Sequence, residues 1–433
     1  YIWYEYYSRV IFMPFFRRGN WAVVGMYVLI LFFFTRVMGG YKVGYLRISD
    51  ICLSQLLAIL ASNVIGYLQI CMIGRDYMPI GPIIMITWAE ILFVVPWAYT
   101  VRWLFVRLYP PRKMLIIYGK YSPDDLIKKV NSRRDKYNIC GAESIAIGYE
   151  ELTKRIPDYE AVVLCDLPAH TRNKILKFCF EKSIRIYVTP KLSDIIISGS
   201  ESIHLFDTPL YLCRNNGFSM DQRIFKRAMD IIGSLIGIII LSPFMLLTAV
   251  AIKAYDRGPV FFKQARLTQD GREFGIIKFR SMCIESEKNG AQLAKKHDDR
   301  ITPVGRLIRK IHFDEIPQLF NILKGDMSIV GPRPERQEIA SQYEEIIPEF
   351  RYRLKVKAGL TGYAQVYGKY NTTPYDKLKL DMLYIENYSF WLDIKILLMT
   401  FKVILQKENS EGIDENQITA LKREIESKTT TKY

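Results

Sequence analysis

Histidine is scarce in this sequence and cysteine follows no pattern. The 433 residues include four histidines and seven cysteines, the latter at positions 52, 71, 140, 165, 179, 213 and 283. No two cysteines form a C-x-x-C pair and no histidine spacing completes a zinc site, which argues against a zinc centre. An odd, scattered set of thiols fits reduced cysteines in a protein that faces the cytosol. No cleavable signal peptide is evident at the start, which opens on Tyr1. Acidic residues are in deficit, with 44 Asp and Glu against 60 Lys and Arg, a net charge of +16. That excess suits an anionic partner, whether nucleic acid, anionic lipid or a phosphorylated substrate. No nucleic-acid motif occurs, so nucleic acid is not expected.

What the chain has in quantity is apolar surface. Hydrophobic residues make up 50% of it and aromatics 13%, with mean hydropathy +0.04 despite 24% charged residues. Residues 1 to 20 are aromatic and basic, resembling a membrane-interface belt more than a folded unit. Three apolar runs follow, Trp21 to Thr35, Ile51 to Ile73 and Pro82 to Phe105. The last two are long enough to cross a hydrocarbon core and the first is marginal. Basic residues place the loop with Lys42 and Arg47, and the segment with Arg102, Arg107, Arg112 and Lys113, in the cytosol. Three spans then leave Arg9, Arg17 and Arg18 outside, so a further span is expected upstream of Tyr1, making a four-helix bundle.

From Met114 the pattern changes to short apolar strands alternating with polar helical stretches. Met114–Tyr118, Ser144–Ile147, Ala161–Cys165 and Arg185–Thr189 read as buried parallel strands, with helices near Pro123–Lys136 and Thr171–Lys182. This predicts a Rossmann-like module over 111–215. The turn after its first strand, Gly119-Lys-Tyr-Ser-Pro-Asp, lacks the G-x-G-x-x-G that lets a backbone approach a pyrophosphate. A structural or regulatory module, needing no NAD, is therefore expected.

Ile231 to Ile252 is again apolar and of spanning length, but Ser242-Pro243 interrupts it and basic residues flank both ends. A full crossing would put one basic cluster outside. Proline removes one helical hydrogen bond, and Ser242 can satisfy the freed carbonyl, so a re-entrant helix is the better reading. Further on, His312 to Glu335 reads HFDEIPQLFNILKGDMSIVGPRPE. Pro317 suits the first turn of a helix and Gly325 its end, which predicts a helix over Pro317–Lys324 with Asp314 and Glu315 at its N-terminus. That end stabilises an ionised carboxylate and attracts phosphate, while Pro332-Arg333-Pro334 holds a guanidinium in a stiff segment. One carboxylate can attack phosphorus while the other holds a hard cation. Spacing alone also allows two acids that merely cap a helix.

The stretch resembles the signature of the bacterial sugar transferases, the monotopic phosphoglycosyl transferases. Their core pattern, DE-x-PQ-x-x-N-x-x-KGDMS-x-VGPRP, matches Asp314 through Pro334 throughout. Gly258-Pro-Val-Phe-Phe, Gln264-Ala-Arg266 and Lys278-Phe-Arg-Ser-Met282 match further motifs, and so does Val356 to Gln365, with Ala358 where proline is usual. Asp298 to Thr302 matches DPRIT with Asp299 replacing proline. The resemblance is dense over Gln222 to Leu405 and architectural before that.

The resemblance implies a membrane protein with N-terminal transmembrane helices (1–110), a Rossmann-like α/β cytosolic module (111–215), and a mostly α catalytic domain (222–406) whose re-entrant helix (231–252) breaks at Ser242 and Pro243. It also implies transfer of a sugar-1-phosphate from a UDP-sugar to polyprenyl (undecaprenyl) phosphate through an aspartyl-phosphosugar, priming a lipid-linked polysaccharide. Asp314 would be the nucleophile and Glu315 the Mg²⁺ ligand, although adjacency alone allows the reverse. Gln264, Arg266, Lys278, Arg280, Arg300, Arg309, Gln318 and Arg333 would bind substrate, and His312 would pack or hydrogen-bond. The implied partners are the UDP-sugar, the polyprenyl phosphate, the lipid bilayer and further copies of the chain. The implied location is the cytosolic face of a bacterial inner membrane.

Two rivals make different demands. A catalytically decayed membrane scaffold should have lost Asp314, Glu315 or Arg333, and a transporter needs several intramembrane polar residues and more spans. Helices are expected over Tyr375–Tyr388 and Phe390–Gln406, the second with an apolar stripe of Trp391, Ile394, Leu397, Leu398, Phe401 and Ile404 that suits either core or bilayer surface. A mobile polar tail is expected over 407–433.

Overall fold

The computed structural model describes residues 1–11, 14–15, 17–119, 122–131, 136–213, 217–283, 300–368 and 372–405. Asp298, Asp299 and the tail beyond 406 lie outside them. The chain forms two compact units, Tyr1–Pro190 and Lys191–Tyr433.

The first unit begins with a π-helical turn, Trp3–Tyr7, followed by three long helices, α1 (Arg17–Met38), α2 (Ile48–Gly74) and α3 (Gly81–Leu108). All three are long and apolar enough to cross a membrane. The marginal first run gains length because Arg17–Asn20 and Arg36–Met38 join the helix; its 22 residues rise about 33 Å at 1.5 Å each. The N-terminal aromatics are folded, not a loose belt. Tyr7 is fully buried, its hydroxyl donates to the Pro79 carbonyl (2.6 Å), and Trp3 donates to Asn20 Oδ1 (2.9 Å). These partners satisfy the polar tips of aromatic rings whose bodies pack among Ile70, Met78 and Ile83.

A polar knot joins the three helices. The Tyr27 hydroxyl lies within hydrogen-bond distance of two acceptors, Asn63 Oδ1 (2.7 Å) and Glu90 Oε1 (2.6 Å), and Asn63 donates to Thr87 (2.8 Å) and Glu90 (2.9 Å). In hydrocarbon such groups must find partners within the protein, and here each helix supplies some of them. Hydropathy averages these residues away within apolar runs, and the sequence reading did not single them out.

The rest of the unit is a three-layered α/β module: β1 (Arg112–Tyr118), α4 (Asp124–Asn131), β2 (Tyr137–Ser144), α5 (Tyr149–Arg155), β3 (Ala161–Cys165), α6 (Ala169–Glu181) and β4 (Arg185–Val188). The strands are all parallel, in order β2-β1-β3-β4. Leu115, Ile117, Val162 and Leu164 bury one face of the sheet and Met114, Ile116, Ala161 and Val163 the other, so β1 and β3 read as continuous apolar runs. The second strand corrects the expectation of Ser144–Ile147. It runs over Tyr137–Ser144, and Ser144 Oγ accepts the Ala146 N–H to start a 3₁₀ turn at Ile145–Ile147. An edge strand half open to solvent alternates polar and apolar residues, so a search for buried runs passes over it. The turn after β1 is closed by backbone, since a Cβ on Gly119 would lie 2.1 Å from the Asp166 carbonyl. That close approach packs the turn against the loop after β3.

The second unit starts at Lys191, ahead of the expected module boundary at 215. Helix α7 (Leu192–Ser198) buries Leu192 and Ile195 in the core shared with Leu378, Met382 and Ile385. A Cβ on Gly199 would meet the Glu386 backbone at 2.6 Å, so only glycine permits that contact. The antiparallel hairpin β5 (Glu201–Leu205) and β6 (Thr208–Leu212) leads into α8 (Met220–Asp256), capped by Ser219 and Gln222 in a capping box.

Helix α8 is continuous through Pro243. Proline cannot donate to the carbonyl four residues back, and the Ser242 hydroxyl donates to that carbonyl, Ile239 O, at 2.9 Å. We expect Ser242→Ala to destabilise the protein by roughly 1–3 kcal/mol, because an unpaired carbonyl remains. Ser242→Ala/Pro243→Ala should recover most of the loss, since residue 243 regains an N–H. Thermal unfolding of both variants in lipid nanodiscs checks this; a double variant as unstable as the single one would refute it.

After α8 come the hairpin β7 (Phe261–Leu267) and β8 (Glu273–Phe279), then α9 (Pro303–Lys310), a 3₁₀ turn at Phe313–Glu315, α10 (Gln318–Lys324) and β9 (Ser328–Val330). The unit continues with α11 (Gln337–Ile346), a 3₁₀ stretch at Pro348–Lys355, β10 (Gly359–Thr361) parallel to β9, α12 (Tyr363–Tyr367), α13 (Pro374–Glu386) and α14 (Phe390–Leu405). The expected stripe on α14 divides. Leu397 is partly buried against the core, whereas Trp391 (67% exposed) and Phe401 (63%) face outward.

Candidate active site

The expected helix after the acidic pair is seven residues long, and the acids precede it in a separate 3₁₀ turn. Gly325 ends the helix at φ 102° and donates to Asn321 O and Ile322 O, while Arg227 from α8 donates to Ile322 O (2.7 Å) and Leu323 O (2.8 Å). A Gly at C′ and a cation on the last carbonyls are what a helix end needs. His312 starts the acidic turn in the left-handed region, φ 55°.

Most of the signature holds the fold. Asn321 accepts the Ile277 N–H (3.0 Å) and donates to Gly275 O (2.9 Å), fastening α10 to β8. Met327, Ser328 and Val330 are fully buried, and Ser328 donates to Asp230 of α8 (2.9 Å). A Cβ on Gly331 would lie 2.5 Å from the Lys357 carbonyl, which permits β9 and β10 to end side by side.

The remaining residues converge on one open pocket, lined by Arg266, Lys278, Glu315, Gln318, Arg333, Gly359 and Leu360 among others. Glu315 Oε1 accepts from Lys278 Nζ at 2.6 Å and from Arg333 Nη2 at 3.0 Å. Burial alone would raise the Glu315 carboxyl, but Arg333 and Lys278 override it and hold the group well below the usual carboxylate range. Glu315 is thus a fixed negative charge flanked by two cations. The electrostatics come from those side chains, not from the short helix behind it.

Asp314 differs from its neighbour. It is 8% exposed, and no described residue hydrogen-bonds its carboxylate. Its pKa is raised, first by burial and then by the Glu315 charge, against opposing pulls from Lys278, Arg309 and His312. The two adjacent acids are therefore shifted in opposite directions, Glu315 down and Asp314 up, the pattern of carboxylates with different chemical roles.

The expected substrate-binding residues divide into two groups. Lys278, Arg333, Gln318 and Arg266 line the pocket, and the buried Gln318 Nε2 donor has no partner among the described residues. Arg309 Nη1 is likewise buried without a hydrogen-bond partner among the described residues, and its charge acts on Asp314. Gln264 orients Arg266, accepting from its Nη2 (2.7 Å). Arg280 lies elsewhere: it is 7% exposed, ion-paired with Asp256 and packed over Gly258, so it ties the end of α8 to β8 and does not line this pocket. Arg300 does not line it either, and its carbonyl accepts the Cys283 N–H (2.9 Å). Sequence reasoning missed Lys226, Asp230, Arg353, Asp381 and Asp393, all buried, because a charged residue in a polar segment carries no sign of burial until its partner is placed beside it.

The donors suit one kind of metal site. Among the described residues no three His, Cys, Asp or Glu side chains converge. Glu315 Oε2 and the Asp314 carboxylate are the oxygens left over, a sparse set that matches Mg²⁺, which keeps water and substrate phosphate as most of its ligands.

The family model for bacterial sugar transferases matches residues 221–407. A UDP-glucose:undecaprenyl-phosphate glucose-1-phosphate transferase from Caulobacter vibrioides is 40% identical over 191 residues, which is 43% of this chain and 71% of that protein. The chain belongs to the bacterial sugar transferase family. The chain is also 41% identical over 238 residues to the UDP-N-acetylgalactosamine-undecaprenyl-phosphate N-acetylgalactosaminephosphotransferase of Aeromonas hydrophila (54% of this chain, 55% of that protein). It is 41% identical over 217 residues to a UDP-glucose:undecaprenyl-phosphate glucose-1-phosphate transferase of Klebsiella pneumoniae (49% and 45%). The match spans about half the length of these last two.

Proposed function

We propose that the chain transfers a sugar-1-phosphate from a UDP-sugar to undecaprenyl phosphate, the priming step of a lipid-linked polysaccharide. The observation that carries this reading is the buried Asp314 beside a Glu315 fixed between Lys278 and Arg333. An ionised Asp314 oxygen attacks the β-phosphorus of the sugar nucleotide. The bond from that phosphorus to the bridging oxygen breaks, UMP departs, and an aspartyl-phosphosugar remains. The phosphate oxygen of the lipid then attacks the same phosphorus and Asp314 leaves as carboxylate. Arg333 and Lys278 offset charge gathering on the phosphoryl oxygens, and Gln318 supplies a donor that burial has left without a partner. Glu315 and Asp314 would hold Mg²⁺, whose contribution is to neutralise the diphosphate. A decayed scaffold has no use for this arrangement, and Asp314, Glu315 and Arg333 are all in place.

The lipid carrier requires the pocket to sit at a membrane, and α8 supports this. One side of the helix exposes Ile232, Ile236, Ile239, Phe244 and Leu247. Yet both ends return to the same unit, with Asp230 accepting from Ser328 and the Ile329 N–H and Asp256 paired with Arg280. A helix crossing the bilayer would strand one of those partners on the far side. The helix therefore dips into one leaflet, with Trp391 and Phe401 of α14 facing lipid, and residues 114–433 lie on the cytosolic face of a bacterial inner membrane. Cysteines placed at Lys263 and Glu338 should be labelled by impermeant maleimide only from the cytosolic side, and labelling of either from outside would overturn this topology. The reaction itself is tested by incubating the full chain with a panel of UDP-sugars and undecaprenyl phosphate. UMP should appear with at least one of them, and its absence with all would reject the proposal.

A further inference from the structure

Four consecutive carbonyls around Arg333 are each held from outside their segment. Pro332 O accepts from the Gly359 N–H (2.9 Å), Arg333 O from Arg353 Nη2 (2.9 Å), Pro334 O from Arg266 Nη1 (3.2 Å) and Glu335 O from the Leu267 N–H (2.9 Å). Two prolines deprive this stretch of the N–H groups that a strand or helix would use, so it is gripped through its carbonyls. Arg353 is 5% exposed, and its Nη2 is also 2.8 Å from Asp381, which is 1% exposed. Its Nη1 lies 3.6 Å from Glu335 Oε1. Arg353 does not line the pocket of Glu315, Lys278 and Arg333; it stands behind it.

We infer that Arg353, anchored by Asp381, is a positioning residue for phosphoryl transfer. It fixes the backbone from which Arg333 reaches Glu315 and the substrate phosphate. The Arg333 side chain is about half exposed and is held at its tip by Glu315, so its aim depends on where its Cα is fastened. A lysine at 353 offers one ammonium where the guanidinium serves Arg333 O, Asp381 and Glu335 together. The inference rests on the phosphotransfer reading above.

The test is a double-mutant cycle on UMP release by the full chain. Arg353→Lys should lower kcat/KM about 100-fold, the scale of an ångström-sized misplacement. In an Arg333→Ala background the same change should cost less than about threefold, because the group being positioned is gone. If Arg353→Lys does not fold, Arg353→Gln/Asp381→Asn, which removes the charges together, takes its place in the same cycle. A purely structural role predicts equal losses in both backgrounds. Equal losses, or no loss in the parent, would overturn the inference while leaving the transfer reaction standing. A parent chain that releases no UMP from any UDP-sugar would remove the phosphotransfer reading and this inference with it, and the two failures are told apart by the parent alone.

Discussion

Replacing Asp314 with Asn should lower UMP release by about 10³–10⁵-fold, the scale seen when a nucleophile is removed from a unit of cooperating groups. The substitution keeps the shape of the side chain and removes the oxygen charge that attacks phosphorus. It should cost no stability at neutral pH. Burial and the Glu315 charge raise the Asp314 carboxyl, so the folded state binds that proton more tightly than the unfolded chain. The stabilisation belongs to low pH and is lost as pH rises through the folded value, leaving a destabilising charge at neutrality that Asn does not carry. An inactive variant at least as stable as the parent is the expected combination. A variant that is inactive because it unfolds would count against the assignment.

The same raised pKa fixes the pH dependence. Activity should fall with acid around a midpoint above the ordinary aspartate range, because the nucleophile must be ionised. Glu315→Gln should move that midpoint downward as one of the two raising influences is removed. An unmoved midpoint would show that Glu315 does not act on Asp314.

The second large effect concerns stability. Lys226 on α8 lies 2.7 Å from Asp393 on α14 and donates to the Tyr384 hydroxyl (2.9 Å), with both charged side chains buried. Tyr384 in turn donates to Asp393 (2.8 Å), and its hydroxyl lies 3.2 Å from the Val330 carbonyl, which brings the membrane helix beside the strand leading into Arg333. Asp393→Ala leaves a buried ammonium without its counter-charge and should cost about 3–5 kcal/mol. For a unit of this size that is a fall in Tm on the order of 10 °C. Lys226→Met/Asp393→Leu removes both charges and should recover most of the loss. Thermal unfolding of the three proteins decides it, and a double variant less stable than Asp393→Ala would contradict the account.

How much of this was legible in the sequence depended on whether the cause was local. Gly325 and Pro317 mark the ends of α10 because backbone conformation is set by the residue itself. The apolar runs of α2, β1 and β3 are visible because both faces, or all sides, are apolar. Ser242 beside Pro243 points to its own hydrogen bond, because donor and freed carbonyl lie within one helical turn. Long-range pairing left no such trace. Arg280 belongs to a motif shared with catalytic relatives and looks like its neighbour Lys278, yet it pairs with Asp256, 24 residues earlier in the chain. Lys226 and Asp393 are separated by 167 residues, and nothing in either local segment names the other. The boundary at Pro190 was hidden for the same reason, since Leu192 and Ile195 continue an α/β pattern but bury against α13.

The covalent step is the centre of the proposed mechanism, and mass spectrometry of the intact chain after exposure to a UDP-sugar without lipid acceptor tests it most directly. The account predicts a sugar-phosphate adduct on the peptide containing Asp314, absent from Asp314→Asn and discharged when undecaprenyl phosphate is added. A chain that transfers sugar phosphate with no adduct, and releases UMP only when both substrates are present, would contradict it.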